Sequence, residues 1–228
     1  MKKIFTQLFC GIWLIVLFSP MALKAQSKAI DSGYRSDGYV ARLEKFKTDP
    51  ISKNDVVFLG NSITAGTNWA KLLDMPRAIN RGISGDITFG ILNRLQEIID
   101  ANPRKIFILI GTNDIAREIP DAVIVENYKR MLERIKAGSS SKVYFFTILP
   151  VNKNTNFQKH KGKAEHINRI NSEMKKLASK RVKVIDLYSY FVDGEGQLKE
   201  NLSYDGLHLN EAGYQEWAKI LRDGDYLK

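Results

Sequence analysis

The sequence predicts an α/β fold, a three-layer α/β/α sandwich built around a central parallel sheet. The first observation behind this prediction is a set of short apolar runs, rich in β-branched and aromatic residues, that end in turn residues. Such runs are typical of strands that are buried on both faces of a parallel sheet. The second observation is that stretches with apolar residues at helical spacing separate these runs. Strands that alternate with helices form a sheet with helices packed on both faces.

Four of the apolar runs are predicted to be the strands of this sheet. In chain order they are residues 56–59, 105–110, 143–148 and 182–185. A further short extended run precedes Gly82. Because ligands bind at the carboxyl ends of strands in open α/β sheets, the residues that follow these runs are the first candidates for a functional site.

Helical spacing of apolar residues recurs along the rest of the chain. Tyr39, Leu43 and Phe46 predict a short helix before the first strand. The later predicted helices have their apolar faces within residues 91–99, 125–135, 167–177 and 214–221. The last of them is expected to begin near Asn210, because asparagine is a favoured N-cap residue.

Residues 1–25 predict a secretory signal peptide. Lys2 and Lys3 precede an apolar run at 12–18, and Ala25 is a small residue suited to cleavage. The run is shorter than the ~20 residues that span a bilayer, so we expect cleavage and no stable membrane insertion, with an uncleaved anchor as the alternative. The protein is then exported, either periplasmic or secreted, and residues 26–228 form a single domain.

The composition limits the chemistry available to that domain. Cys10 is the only cysteine and lies in the signal peptide, so the mature chain is expected to lack disulfides, a thiol nucleophile and Cys-ligated metal sites. No His, Asp or Glu residues have convincing metal-ligand spacing, and we therefore predict neither a metal nor another cofactor.

The net charge is +10, and it falls to +7 when Lys2, Lys3 and Lys24 are removed with the signal peptide. The basic residues are spread along the chain and interleaved with acidic ones, which is typical of a solvated surface rather than of a nucleic-acid interface. We therefore expect a small-molecule or glycan ester as partner and no nucleic acid. The sequence does not indicate an oligomeric state.

Four segments carry the residues of a hydrolytic site. Ser62, in the segment 58–64, is the candidate nucleophile, and it needs a base within hydrogen-bond reach. His208 is the candidate base, and Asp205, three residues earlier, is expected to hold the imidazole in the correct tautomer. The backbone N–H groups of Ser62 and Gly82 and the side-chain amide of Asn113 are the candidate oxyanion hole.

These motifs differ from the Gly-x-Ser-x-Gly turn of α/β-hydrolases. The spacing of Ser62, Gly82, Asn113 and His208 instead resembles the SGNH (GDSL-type) hydrolase family, and the resemblance extends over residues 55–217. It implies a flavodoxin-like sandwich and metal-free ester hydrolysis through an acyl-serine intermediate. Family members that resemble this chain include acetylhydrolases of the platelet-activating-factor type and carbohydrate deacetylases. One departure is Asn61, where the family usually has Asp before the serine.

Two other histidines compete as bases, but neither has a carboxylate at a matching spacing. His160 is expected in a solvated loop, and His166 is expected at the start of a helix, exposed or partly packed. Asp114 is expected to hold its loop rather than transfer protons, and Ser84 and Asp86 are expected to have turn roles.

The segment 152–163 is polar and basic, with Phe157 as its only large apolar residue. A long acyl chain requires a continuous apolar groove, so this segment favours a short acyl group, acetyl above all, on a polar alcohol such as a sugar. A lysophospholipase or thioesterase is the alternative if Trp69, Ile83 and Phe89 line an apolar slot. A non-catalytic carbohydrate-binding protein is the alternative from another functional class.

Overall fold

The computed structural model describes residues 30–228, so the predicted signal peptide, residues 1–25, lies outside the described residues and stays a prediction. Asp31–Lys228 form one compact unit. Within the described range, no helix is both long enough and apolar enough to cross a bilayer.

A parallel sheet forms the centre of the described unit, which confirms the predicted α/β class. Its five strands lie in the order β2-β1-β3-β4-β5, and every neighbouring pair is parallel. The strands are β1 (Val56–Gly60), β2 (Ala78–Gly82), β3 (Lys105–Leu109), β4 (Lys142–Phe146) and β5 (Val182–Ile185). Four of them correspond to the predicted runs, and β2 corresponds to the extended run before Gly82.

The edge strand β2 lacks an apolar pattern because two of its residues, Asn80 and Arg81, are polar. The Arg81 side chain is nevertheless fully buried. Its guanidinium lies 4.6 Å from the centre of the Phe46 ring and 3.3 Å from an Asp49 carboxylate oxygen. A cation on an aromatic face, paired with a carboxylate, can be buried in place of the usual apolar strand residue.

Helices cover both faces of the sheet. In chain order they are α1 (Tyr39–Lys47), α2 (Ser62–Ala65), α3 (Trp69–Leu73), α4 (Thr88–Ala101), α5 (Thr112–Ala116), α6 (Asp121–Gly138), α7 (Ala164–Lys175), α8 (Tyr188–Phe191) and α9 (Glu211–Asp223). Two short 3₁₀ turns lie at Gln158–His160 and Glu200–Leu202.

Alternate residues of the strands bury their side chains in two separate cores. Val57, Ile106 and Phe145 belong to the core that α4, α6 and α7 cover. Phe58 and Phe107 belong to the core on the other face, which α3 and α9 cover. Period-two burial on both faces is what a fully covered parallel sheet requires, and it produces the predicted three layers.

The strand order reverses at β1, whose neighbours β2 and β3 lead into connections at the same edge of the sheet. Ligands of doubly wound sheets bind at such a switch point, outside the carboxyl ends of the strands. Here α2 begins just after β1, a turn at residues 83–87 follows β2, and α5 begins just after β3. The fold therefore brings the segments of Ser62, Gly82 and Asn113 to one rim.

Candidate active site

Ser62 is the first residue of α2 and follows β1 after a single intervening residue. Its Oγ lies 2.9 Å from His208 Nε2, although the two residues are 146 positions apart in the sequence. Its backbone N–H makes no hydrogen bond within residues 30–228. The serine thus has a base within reach and an unused N–H beside its hydroxyl, the arrangement that nucleophilic catalysis requires.

Asp205 holds both the ring and the backbone of His208. Its Oδ2 lies 2.7 Å from His208 Nδ1, and its Oδ1 accepts the backbone N–H groups of Leu207 and His208 at 2.9 and 2.7 Å. Burial by itself raises the pKa of Asp205, but the hydrogen bonds from the His208 ring and from these N–H groups outweigh it and lower the pKa. The carboxylate therefore stays ionised and keeps the proton of His208 on Nδ1.

Asn61, the residue that departs from the family pattern, is the N-cap of α2. Its Oδ1 accepts the Ile63 N–H at 3.0 Å, and the residue is buried. An asparagine oxygen caps a helix about as well as an aspartate oxygen. The departure therefore leaves the hydrogen bond that shapes the turn around Ser62 in place.

Asn113, in the first turn of α5, points its side-chain amide at the turn that follows β2. Its Nδ2 donates to the Asp86 backbone oxygen at 2.9 Å, which uses one of its two N–H groups. The other N–H can donate to an oxyanion. Gly111, which precedes α5, has a φ of +114°, and a side chain there would meet Ile148 Cδ1 at 2.6 Å.

The Gly82 N–H does not have the predicted freedom, and this part of the oxyanion-hole prediction is corrected. It donates to the Asn80 side-chain oxygen at 2.8 Å. The physical reason is that β2 is an edge strand, whose backbone N–H groups point alternately towards β1 and away from the sheet. The Ile83 N–H donates to the Gly60 oxygen at the end of β1, so the preceding Gly82 N–H points away from the sheet. Gly82 has a packing role instead, because a Cβ there would lie 2.3 Å from the Ala65 nitrogen.

Gly85, three residues later, has the free N–H that Gly82 lacks. Its φ is +75°, and its N–H makes no hydrogen bond within the described part of the chain. The Ser84 oxygen of the same peptide accepts from Ser36 Oγ at 2.5 Å, and the N–H of a trans peptide points the opposite way. The next residue, Asp86, is the one that Asn113 contacts. The Ser-Gly pair at a left-handed turn was the sequence signal that the Gly82 prediction overlooked.

The expectation that His160 lies in a solvated loop is wrong. His160 ends the 3₁₀ turn Gln158–His160, and its Nε2 lies 3.3 Å from Asn113 Oδ1. The Phe157 ring contacts the rings of both His160 and His208, with centroid separations of 6.0 and 5.2 Å. The polar segment 152–163 thus folds back onto the site, and this occurs because Asn152 N–H donates to the Gly206 oxygen at 2.8 Å.

His166 lies in the first turn of α7, half-exposed as expected. It has a carboxylate partner that its sequence spacing did not indicate, because its Nδ1 lies 2.7 Å from an oxygen of Asp121, the first residue of α6. Asp121 also pairs with Arg169 at 2.8 Å. No nucleophilic serine or cysteine takes part in this group, so it is a surface ion-pair network.

Asp114 and Asp86 hold the loops of the site, as expected. Asp114 is fully buried, and its carboxylate accepts both the N–H and the hydroxyl of Thr88, at 3.0 and 2.5 Å. Asp86 forms a buried ion pair with Arg94 at 2.9 Å. Burial raises the pKa of Asp114 to about 7, although the hydrogen bonds from Thr88 act in the opposite direction.

This buried carboxyl makes the stability of the protein depend on pH. The folded state holds the Asp114 proton up to about pH 7, whereas the unfolded chain releases it near 3.8. The contribution of Asp114 to the free energy of unfolding is therefore complete below pH 3.8. It is lost as the pH rises to about 7, at about 1.4 kcal/mol per pH unit. In Asp114→Asn, we expect urea unfolding between pH 4 and 8 to show a smaller fall in unfolding free energy than in the wild type. Parallel curves for the two proteins would contradict the prediction.

Within residues 30–228, no group of three or more His, Cys, Asp and Glu side chains is arranged to hold a metal ion. A hydroxyl, an imidazole and a carboxylate lie in one hydrogen-bonded series, beside free N–H donors on a doubly wound sheet. This fold and this arrangement of groups indicate the class of SGNH hydrolases.

Comparison with known proteins agrees with this class. The profile of the GDSL-like Lipase/Acylhydrolase family matches residues 58–216, and the chain belongs to this family of ester-cleaving hydrolases. Platelet-activating factor acetylhydrolase IB subunit alpha2 of Rattus norvegicus is 26% identical over 195 residues, which cover 82% of this chain and 83% of the relative.

Two solved structures show the same architecture. A GDSL-like lipase from Bacteroides thetaiotaomicron superposes with a TM-score of 0.71 at 24% identity, covering 82% of this chain and 96% of that structure. The lipase/acylhydrolase from Enterococcus faecalis superposes with a TM-score of 0.62 at 25% identity, covering 75% and 94%. At 24% identity, the similarity to the structure from Bacteroides thetaiotaomicron concerns the fold alone.

Proposed function

We propose that the protein is a serine esterase that removes short acyl groups, acetyl above all, from a polar alcohol such as a sugar. The observation that carries this proposal is the hydrogen-bonded series from Ser62 Oγ through the His208 ring to Asp205, with distances of 2.9 and 2.7 Å. Membership of the acylhydrolase family supports ester hydrolysis, and the site geometry supports this route to it.

In the first half-reaction, Ser62 Oγ attacks the ester carbonyl carbon while His208 Nε2 takes the hydroxyl proton. The negative charge that develops on the carbonyl oxygen is stabilised by the Ser62 N–H, the free Asn113 N–H and, in place of Gly82, the Gly85 N–H. The carbon–oxygen bond to the alcohol then breaks, and His208 gives its proton to the departing alcohol oxygen. The acyl group remains on Ser62.

In the second half-reaction, a water molecule replaces the alcohol. His208 takes a proton from the water as its oxygen attacks the acyl-serine carbonyl, and the same donors hold the oxyanion. The bond to Ser62 Oγ breaks, the serine recovers its proton from His208, and the carboxylic acid is released. Asp205 stays ionised throughout because its pKa is lowered, and it stabilises the imidazolium in both steps.

The packing near the nucleophile supports a short acyl group. The alternative of a lysophospholipase or thioesterase depends on an apolar slot lined by Trp69, Ile83 and Phe89, but the side chains of Trp69 and Ile83 are buried in the interior. Trp69 is 1% exposed and stacks on Phe58 at 4.0 Å, and Ile83 is 2% exposed. The name of the rat relative, an acetylhydrolase, points to the same acyl size.

The surroundings of His208 support a polar alcohol. The Tyr204 ring is 70% exposed and lies parallel to the His208 ring at 5.9 Å. Beside Asp205, a cavity of about 250 Å³ is lined by Tyr204 and by Asn154, Asn156 and Glu200, whose side chains make no hydrogen bond within the described residues. An exposed aromatic face beside unused amide and carboxylate groups suits the apolar face and the hydroxyls of a sugar.

A non-catalytic carbohydrate-binding protein is the alternative function, because Tyr204 and the polar cavity beside Asp205 could bind a sugar without catalysis. It does not require the Ser62 hydroxyl to lie against a base that a carboxylate orients. Reaction with a serine-directed fluorophosphonate separates the two functions, because only an activated serine is labelled. A protein that binds sugars and stays unlabelled would support the binding protein.

The proposal is tested by steady-state hydrolysis of p-nitrophenyl acetate, butyrate and octanoate, with acetate release from an acetylated methyl glycoside as a further arm. We expect kcat/KM to fall by at least about ten-fold from acetate to octanoate, because Trp69 and Ile83 are buried in the interior and do not line an apolar slot for the longer chain. Faster turnover of octanoate would overturn the short-chain assignment. Turnover of p-nitrophenyl acetate without release from the glycoside would leave the esterase but reject the sugar.

A further inference from the structure

His160 approaches the candidate oxyanion hole from a part of the chain that supplies none of its donors. Its Nε2 is 3.3 Å from Asn113 Oδ1, and the two residues are 47 positions apart. The backbone N–H of His160 donates to the backbone oxygen of Phe157 at 2.9 Å, and this hydrogen bond stabilises the short turn that carries the His160 ring. The side chain thus reaches the oxygen end of the amide whose nitrogen end is to stabilise the oxyanion.

The orientation of the Asn113 amide decides whether it can act as a donor. If the amide turned over by 180°, its oxygen would face both the oxyanion and the Asp86 carbonyl oxygen, and both contacts would be repulsive. The bond from Nδ2 to the Asp86 oxygen, at 2.9 Å, holds the nitrogen end. His160 is the group that contacts the oxygen end.

The contact also defines the protonation of the His160 ring. An amide oxygen only accepts hydrogen bonds, so Nε2 must carry the hydrogen. Burial lowers the pKa of His160 and the nearby His208 acts in the same direction, so the ring is neutral at neutral pH and Nδ1 has no hydrogen. Nδ1 is buried and has no hydrogen-bond partner in the described part of the chain, which leaves Asn113 as the ring's polar contact.

We propose that His160 is a positioning residue for the oxyanion hole, whose Nε2–H holds the Asn113 amide with its nitrogen towards the reacting carbonyl oxygen. A hydrogen bond accepted at the amide oxygen also polarises the amide and strengthens its remaining N–H as a donor. This inference rests on the proposed esterase function. It assigns to His160 an effect on transition-state stabilisation that acts through the Asn113 amide.

The test compares kcat and KM for p-nitrophenyl acetate in four variants. His160→Phe keeps a ring but has no donor, His160→Leu removes donor and ring, and His160→Gln keeps an N–H. His166→Gln is the matched control, because His166 is a half-exposed histidine whose partners, Asp121 and Arg169, lie outside the site. Counting acylated sites from the p-nitrophenol burst corrects each rate for the folded fraction.

We expect kcat to fall about ten-fold in His160→Phe and His160→Leu with KM nearly unchanged, which is less than the 10²–10³ for loss of a whole oxyanion donor. His160→Gln should recover most of the rate, and His166→Gln should match the wild type. Equal rates in His160→Phe and the wild type, or a change confined to KM, would overturn the inference. An inactive wild type would instead overturn the proposed function.

A double-mutant cycle with Asn113→Ala shows whether His160 acts through Asn113. If it does, adding His160→Phe to Asn113→Ala should change kcat by less than about two-fold, because the amide that His160 holds is already absent. Full additivity of the two effects would show that His160 influences the rate by another route and would overturn the inference. The cycle measures the effect of His160→Phe on kcat twice, once in the wild type and once in Asn113→Ala. If His160→Phe only disturbed the fold, it would lower kcat equally in both backgrounds, and the two effects would be additive.

Discussion

Ser62→Ala is expected to reduce kcat for p-nitrophenyl acetate by about 10⁴- to 10⁶-fold, the range for losing the nucleophile of a serine hydrolase triad. The Ser62 hydroxyl is the group that His208 Nε2 contacts at 2.9 Å, and alanine leaves nothing there to form an acyl intermediate. The residual rate would come from the oxyanion donors acting on a water molecule. The measurement is steady-state turnover together with fluorophosphonate labelling, which should be absent in the variant.

Ser84→Ala is the matched control for this change. Ser84 is an exposed serine in the turn after β2, and its hydroxyl makes no hydrogen bond within residues 30–228. We expect this variant to keep its labelling and its turnover to within about two-fold, because alanine keeps the backbone that carries the Gly85 N–H and removes only an exposed hydroxyl. Labelling that persists in Ser62→Ala would reject Ser62 as the nucleophile.

Asp205→Asn is expected to reduce kcat by about 10³- to 10⁴-fold while the protein stays folded, as the corresponding change does in a characterised triad. The two backbone N–H groups at Asp205 Oδ1 can only donate, so the asparagine oxygen will take that position. The new NH₂ group then faces His208 Nδ1 in place of Oδ2. That nitrogen must become an acceptor, which moves the ring proton to Nε2 and leaves no lone pair for the Ser62 hydroxyl.

The tautomer change can be observed directly, since ¹⁵N shifts distinguish the protonated from the unprotonated ring nitrogen. Asp193→Asn is the matched control, because Asp193 Oδ1 also accepts two backbone N–H groups, those of Glu195 and Gln197, but contacts no histidine. We expect full activity in that variant. An Asp205→Asn protein with wild-type turnover, or with His208 still protonated on Nδ1, would contradict the mechanism.

The parts of the fold that could be predicted are those with a long or strongly apolar pattern. The helices predicted from residues 91–99 and 125–135 correspond to α4 and α6. Four of the five strands in the described chain coincide with the predicted apolar runs. The helices α2, α3, α5 and α8 are four or five residues long, too short to show a helical period. The strand β2 was predicted only as a short extended run without an apolar pattern, because Arg81 is buried by its pairing with Asp49 rather than by being apolar.

The residues of the candidate site also include some that the sequence could predict and some that it could not. Ser62, Asp205 and His208 could be singled out because each lies in a short motif whose residue types have few other uses together. The choice of Gly82 over Gly85 failed because spacing does not reveal which backbone N–H already has a partner, and Asn80 takes the one on Gly82. His160 was missed because its contact with Asn113 depends on how a polar loop folds back, and its composition is also that of a solvated loop.

The distance along the chain between Ser62 and His208 has a consequence for the life of the protein. Ser62, the proposed nucleophile, is translated 146 residues before His208, its proposed base. The helix α9 then contacts the segment of Ser62 through Tyr214, whose hydroxyl donates to the Ile63 oxygen at 2.8 Å. A nascent chain, or a fragment that ends before His208, carries the serine without a base. Under the proposed mechanism, such a chain lacks the general base, and triad-dependent hydrolysis begins only when the segment that contains His208 has been made and has folded against Ser62.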